Sequence, residues 1–258
     1  MKRLLTFALT ACLSLAATTM LRAEEPLKLG LAPEPYAPFE WKEADGTWKG
    51  FEIDLGKALC KEMKRDCVLV EIAWDGIIPA LQAKKIDVIF NSMSITEERK
   101  KTINFSDPYY STVPAFIGPK GTKVELTKES MSGKVIGVQV ATTHADYAEK
   151  NFGDVAEIRT YATQDEANAD LVSGRVDLVL ADKVALNEFL KSDAAKDLGM
   201  LADVTADGPT LAGAGIRKED TELLAQMNAA IAAVLKSGEY DRIAKPYFAF
   251  DIYGLPRK

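Results

Sequence analysis

Apolar and polar positions along the chain fall into a repeated order of strand-like and helix-like runs. Leu27 to Ala32 reads as an apolar strand, Ile53 to Met63 carries its apolar residues at helical spacing, and Val68 to Ile72 is a β-branched run. Gly76 to Ala83 returns to helical spacing and Ile86 to Phe90 is strand-like, so this stretch predicts β-α-β-α-β. After a connector the order recurs as strand Val135 to Val140, helix Asp146 to Asn151, strand Val155 to Tyr161, helix Gln164 to Ser173 and strand Val176 to Ala181. Lys85-Ile86-Asp87-Val88-Ile89 matches Arg175-Val176-Asp177-Leu178-Val179 at a constant offset of 90, which points to an internal duplication of architecture.

Helices alternating with β-rich runs imply parallel sheets covered on both faces. The predicted class is therefore α/β, with two doubly wound lobes and a cleft between them. Strand Leu211 to Ile216 and helix Thr221 to Leu235, with Leu223, Leu224, Met227, Ile231 and Val234 on one stripe, have no counterpart in the second half. This tail is expected to return to the first lobe, making it discontinuous: residues 24–112 with 208–258, against 113–207 for the second lobe. The chain then crosses between lobes near Ser111 to Ala115 and near Asp203 to Thr210, a two-strand hinge.

The N-terminus changes the picture of where this happens. Lys2 and Arg3, the apolar run Leu4 to Ala17 and Leu21-Arg22-Ala23 before Glu24 read as a cleavable secretory signal over residues 1–23. Its apolar run is shorter than the roughly 20 residues that span a bilayer, and no later segment approaches that length. Leu9-Thr10-Ala11-Cys12 has the letters of a lipoprotein box but sits early in the apolar run, so a soluble periplasmic product is the reading. Of 258 residues, 47% are hydrophobic and 27% charged, a globular composition. Loss of residues 1–23 leaves 235 residues, removes Lys2, Arg3 and Arg22, and takes the net charge from −6 to −9. That sign argues against nucleic acid as a partner. One histidine and three cysteines in the full chain supply no zinc set of the usual kind, so neither metal nor cofactor is expected. Cys60 and Cys67 remain as an even pair in an oxidising compartment, which predicts a disulfide; two buried free thiols are the alternative.

In open α/β sheets ligands bind beyond the carboxyl ends of the strands. After Phe90 comes Asn91-Ser92-Met93-Ser94-Ile95-Thr96-Glu97-Glu98-Arg99, where Thr96 can cap a helix carrying Arg99 in its first turn. Hydroxyls, helix-start amides and a guanidinium suit a carboxylate, although Arg99 taken alone fits a surface pairing with a neighbouring glutamate. Thr143 opens the helix after Val140, as a ligand hydroxyl or as a plain cap. Asp182 follows Ala181 and can meet an ammonium or serve as an N-cap. Tyr36, Phe39 and Trp74 fall at strand-end loops, where aromatic planes sandwich a ligand side chain or simply pack.

Tyr36-Ala37-Pro38-Phe39, Gly50 to Leu55, Ser92 to Arg99, Phe105 to Tyr109 and Tyr240 to Phe248 together resemble the polar amino-acid-binding proteins of ABC importers, over essentially the whole mature chain. The likeness is nearest to the lysine/arginine/ornithine and histidine binders, whose paired cysteines match Cys60 and Cys67. It implies a type II-like periplasmic binding protein, a monomer that takes a polar amino acid, a basic one in particular, and delivers it to an inner-membrane ABC permease. By the same resemblance Arg99, Ser94 and Thr143 hold the α-carboxylate, Asp182 the α-ammonium, and Tyr36 and Trp74 flank the side chain. Asn91 and Ser92 line the pocket, Glu52 lies near the far end of a basic side chain, and His144 replaces a family glutamine at the pocket edge. Basic-residue binders carry an aspartate three positions ahead of the tyrosine, whereas here Pro33 stands there, followed by Glu34.

Two other functions share these features. Periplasmic cyclohexadienyl dehydratases, acting on prephenate or arogenate, resemble this family and need a catalytic acid in the cleft, for which Glu34, Glu52 and His144 are the nominees. No nucleophile elbow, phosphate loop or metal motif is present, and Gly213-Ala214-Gly215 lacks the third glycine of a dinucleotide fingerprint. A ligand-sensing domain docking to a receptor is the third reading.

Overall fold

A computed structural model describes residues 25–256 apart from 206, 207 and 209. The signal segment with Cys12, and part of the second expected crossing, lie outside the described residues. Among the described residues no helix is long and apolar enough to cross a membrane.

The elements follow the predicted order with tighter ends. Strand β1 (Leu27–Leu31) leads through the hairpin β2 (Trp41–Lys42) and β3 (Trp48–Lys49) to α1 (Phe51–Glu62) and β4 (Cys67–Glu71). A 3-10 turn at Trp74–Gly76 enters α2 (Ile77–Gln82), followed by β5 (Val88–Ile89), α3 (Glu97–Thr102), β6 (Asn104–Phe105) and β7 (Tyr110–Thr112). The second half runs β8 (Pro114–Pro119), α4 (Lys128–Met131), β9 (Val135–Gln139), α5 (Thr143–Phe152), β10 (Glu157–Tyr161) and α6 (Gln164–Val172). It closes with β11 (Leu178–Asp182), α7 (Lys183–Phe189) and β12 (Leu198–Asp203). The tail adds β13 (Thr210–Ala212), β14 (Gly215–Ile216), α8 (Thr221–Lys236) and α9 (Glu239–Ala244).

Two five-stranded sheets result, ordered β4-β1-β5-β14-β6 and β10-β9-β11-β8-β12. The expectation of parallel sheets holds only for the three strands that begin each order. The next strand in each sheet runs the opposite way, β14 in the first and β8 in the second, and the edge strands β6 and β12 pair antiparallel with these and so return to the direction of the first three. All four lie outside the duplicated β-α-β-α-β unit. Coverage of both faces also fails at one edge, because β4 leaves Val68 and Leu69 exposed by 43% and 39%. The Cys60–Cys67 disulfide, with Cα atoms 6.2 Å apart, ties this edge strand to the end of α1.

The tail does return. Strand β14 lies between β5 and β6, while Met227, Ile231 and Val234 of α8 join Leu55, Leu59 and Val88 in one buried cluster. Leu211 to Ile216 is broken into two strands because Gly213 presses against Ile95, where a Cβ would come within 2.8 Å of its side chain. Between the lobes the chain passes out through β7 and β8 and back through β12 and β13. The outward and returning strands hydrogen-bond side by side, Asp203 opposite Ala115 and Thr210 opposite Thr112.

One close approach positions the site. Gly50 has φ 128°, and a Cβ there would meet the Phe39 carbonyl oxygen at 2.1 Å, so only glycine lets α1 begin directly against the Tyr36–Glu40 turn. Phe51 N and Glu52 N then donate to Pro38 O and Phe39 O, both at 3.0 Å. Phe39 stacks on Tyr110 at 4.7 Å and fixes the turn from below.

Candidate functional site

The residues beyond the carboxyl ends of the parallel strands of both lobes meet across one cleft, which holds about 530 Å³ of space, its mouth included. From the first lobe come Ala32, Glu34, Tyr36 and Glu40 after β1, Trp74 after β4, and Asn91, Ser92, Ser94 and Arg99 after β5. The second supplies Gln139 at the end of β9 and Thr142, Thr143 and His144 after it, Gln164 after β10, and Asp182 at the end of β11. Nine of the ten site residues implied by the family resemblance therefore line one wall or the other, as does Glu34, whereas Phe39, offered as a ligand-facing ring, is fully buried in the core. The tenth, Glu52, does not line the cleft. Its helix turns it away from the cleft, and its oxygens accept from Ser92 N at 2.7 Å, Ser92 Oγ at 2.9 Å and the Tyr109 hydroxyl, so it sits behind the wall as a support for Ser92.

The lobes are closed on each other through polar contacts. Tyr36 Oη donates to Asp182 Oδ2 at 2.8 Å, Gln139 Nε2 donates to Glu34 Oε1 at 3.2 Å, and the Ser94 and Thr143 hydroxyls are 3.4 Å apart. Ala141 O accepts from Trp74 Nε1 at 3.2 Å and from Arg99 Nη2 at 3.0 Å. Ala141 and Ser92 both hold positive φ, 57° and 50°, a region that non-glycine residues seldom occupy. The turn at Ala141 aims its carbonyl across the gap, and the turn at Ser92 aims its amide at Glu52.

Arg99 is not a surface residue paired with a glutamate: Glu97 and Glu98 are taken by Lys100 and Lys101. Its Nη1 donates to Ser94 O at 2.9 Å and its guanidinium lies 5.6 Å over the Trp74 ring. Two of the five guanidinium donors are used in hydrogen bonds to Ser94 O and Ala141 O, and the side chain lines the cleft. Burial lowers its pKa, with the charges of Asp146 and Asp182 opposing. The cap of α3 is Thr96, whose hydroxyl accepts from Arg99 N at 3.1 Å, so the helix does not need the Arg99 side chain. Of the adjacent threonines at α5, it is Thr142 that caps, accepting from Ala145 N at 3.1 Å. Thr143 is thereby free to face Ser94. Asp182 makes no side-chain cap to α7, and its carboxylate turns instead to Tyr36 and His144.

The cleft is acidic. Asp182 is 4% exposed, and its Oδ1 has no hydrogen-bond partner; it lies 3.5 Å from His144 Nε2, which is equally unpartnered. Glu40 is 1% exposed, accepts from Asn91 Nδ2 on one oxygen and has no donor on the other. Burial, and next to it the charge of Glu52, pushes the Glu40 carboxyl well above the ordinary carboxylate range. Burial also raises Glu34, and burial together with the Asp182 charge raises the Tyr36 hydroxyl far up. Asn91, a pocket residue by sequence, spends its amide on Glu40 and on Ala32 N, to which its Oδ1 accepts at 2.7 Å, so it braces two stretches of the wall. Glu40, Gln139, Thr142 and Gln164 escaped the sequence reading; Gln139 and Gln164 stand at strand ends where the same rule finds them, whereas Glu40 lies inside a turn. Among the described residues no group of three or more His, Cys, Asp or Glu side chains is placed to hold a metal ion.

Comparison with known proteins gives the arrangement relatives. The family model described as bacterial extracellular solute-binding proteins, family 3, matches residues 27–250. The chain is similar to the L-arginine-binding protein of Pseudomonas aeruginosa, 40% identical over 94% of this chain and 95% of the relative. It is also similar to the lysine/arginine/ornithine-binding periplasmic protein of Escherichia coli, 39% identical over 98% and 99%. Among solved structures, an ancestral arginine-binding protein bound to arginine superposes with a TM-score of 0.82, at 33% identity, over 88% of this chain and all of that one.

Proposed function

Because the chain belongs to the bacterial extracellular solute-binding proteins of family 3, we propose that its cleft captures a basic L-amino acid, or a close derivative, in the periplasm and delivers it to an inner-membrane ABC permease. The observation that carries this reading is the charge set of the cleft: one guanidinium, Arg99, against Asp182, Glu34 and Glu40. A zwitterionic α-amino acid puts its carboxylate on Arg99, beside Ser94, Thr143 and the first amides of α5, and its ammonium on the unpartnered Asp182 Oδ1. Two acidic groups, Glu34 and Glu40, are then left for the side chain, and they favour a cationic one. Tyr36 and Trp74 supply the aromatic walls. His144 stands beside the same ammonium position, its Nε2 3.5 Å from Asp182 Oδ1.

Capture works by closure. Lobe one, residues 24–112 with 208–258, and lobe two, 113–207, pivot on the paired crossings, and a ligand that touches both lobes favours the closed form by its differential contacts alone. The permease reads the closed form.

Thermal unfolding of ligand-stripped mature protein against amino acids, opines and prephenate tests this reading. A ligand at 100 times its Kd adds about 2.7 kcal/mol. A shift with arginine, lysine, ornithine or histidine supports the proposal; a shift with prephenate alone, together with its turnover, replaces it by the dehydratase.

A further inference from the structure

Glu40, in the wall of the cleft, and Glu52, behind it, form an acidic pair with no protein cation beside it among the described residues. Glu40 and Glu52 are each 1% exposed and adjoin one another, because the start of α1 is seated against the turn that carries Glu40. Among the described residues neither carboxyl takes part in an ion pair. Glu52 accepts from three donors, Ser92 N, Ser92 Oγ and Tyr109 Oη. Glu40 receives only the Asn91 amide, and its Oε2 is buried without a donor although the residue lines the cleft. Glu40, buried beside the Glu52 carboxyl with one oxygen lacking a donor, has its charged form disfavoured, so the ligand-free protein holds a proton there.

We propose that Glu40 is the receptor for the distal cation of the ligand, and that seating this cation drives the Glu40 proton into solvent. The proposal rests on the amino-acid reading of the site above and goes past it by assigning the side-chain pocket and a proton stoichiometry. Glu34, the other acid of the cleft, already accepts from Gln139 across the lobes. A guanidinium or ammonium on Glu40 Oε2 supplies the positive charge that the proton supplied before, and does so with charge-assisted hydrogen bonds. The remaining groups that face Glu40 do not replace it as the proton source. Glu34 and Glu52 are acids that act on it through their charge, Asp182 is held by Tyr36, and the Tyr36, Tyr109 and Tyr110 hydroxyls are all raised far above neutral pH. His144 stands at the Asp182 end, where every α-amino acid ligand meets it alike.

L-Arginine and its uncharged ureido analogue L-citrulline separate the two ends, since they share the α-groups and differ in the distal charge. Calorimetric titration of ligand-stripped protein in phosphate and in Tris reads the protons exchanged. The expected result is release of about one proton more for arginine than for citrulline. The arginine-to-citrulline affinity ratio then rises with pH, approaching tenfold per unit. In Glu40→Gln the extra proton disappears and arginine loses at least tenfold more affinity than citrulline. Equal proton exchange for both ligands in the wild type, or an extra proton that survives in Glu40→Gln, overturns the proposal while leaving the amino-acid site standing. A protein that binds neither ligand, nor any other amino acid, overturns the site reading and the proposal together.

Discussion

Replacing Arg99 by alanine removes the one positive side chain of the cleft. In the closed form its guanidinium is stacked over Trp74 and bound to Ser94 O at 2.9 Å and Ala141 O at 3.0 Å, and burial already disfavours its charge. A ligand carboxylate entering this spot is desolvated to the same degree, so the variant leaves it without a counter-charge. Truncating one partner of a buried, hydrogen-bonded charge pair costs about 2 to 5 kcal/mol, much of it the penalty of the stranded charge. At about 1.4 kcal/mol per tenfold, that is a loss of roughly thirtyfold to a few thousandfold in affinity for every α-amino acid. Arg99→Lys keeps the charge but not the planar fork and falls between the two. The fold is spared, because Thr96 caps α3 through the Arg99 backbone amide. Isothermal titration with L-arginine, with circular dichroism as the check on folding, reads the outcome. A folded Arg99→Ala protein that binds within threefold of wild type refutes the placement of the carboxylate.

Trp74→Ala removes both the plane beneath Arg99 and one aromatic wall of the side-chain pocket, so affinity falls by about 0.5 to 2 kcal/mol, and most for ligands whose side chain stacks on the ring. Equal losses for every ligand in a titration series place Trp74 outside the side-chain pocket. Glu40→Gln changes the pH dependence of stability in the ligand-free protein. A raised folded-state pKa means that Glu40 favours folding at and below its ordinary value of 4.5, and that this contribution is lost as pH climbs towards the folded value, at up to about 1.4 kcal/mol per unit. The advantage of Glu40→Gln over wild type in thermal melts therefore grows between pH 5 and pH 8; a constant difference counts against the shift. Replacing both Cys60 and Cys67 by serine opens a short loop, worth about 2 to 3 kcal/mol in the chain-entropy model, and lowers Tm by about 4 to 12 °C. An unchanged Tm shows that the β4 edge holds without its staple.

Much of the fold and site was legible because period and position carry local meaning. The three parallel strands of each lobe showed as strand-like runs, and the strand-end rule pointed to Tyr36, Trp74, the stretch Asn91 to Arg99, Thr143 and Asp182, all on one cleft, while His144 came from the family resemblance and Phe39, offered by the same rule, went to the core. What failed to show depends on the third dimension. The reversed strands β8 and β14 are set by where the connector and tail lie down, which no short window encodes. Glu52 reads as a pocket acid in sequence, yet one helical residue's azimuth separates lining a wall from standing behind it. Glu40, between Phe39 and Trp41 in a turn, has the look of a solvated charge. Only the glycine-mediated contact of Gly50 with Phe39 shows why it is buried.

The placement of β14 carries a consequence for the order of events when the chain first folds. The strands of the second sheet lie between residues 114 and 203, so this sheet is complete as soon as that stretch is available. The first sheet is not: β14, at Gly215–Ile216, is an inner strand that separates β5 from β6, and both must wait for it. A chain delivered N-terminus first therefore holds an interrupted sheet, with Val88, Ile89 and Phe105 unpaired on one side, until its last fifth arrives. The lobe that begins the sequence is the one that finishes last, and the late arrival of a two-residue strand is a timing device written into topology.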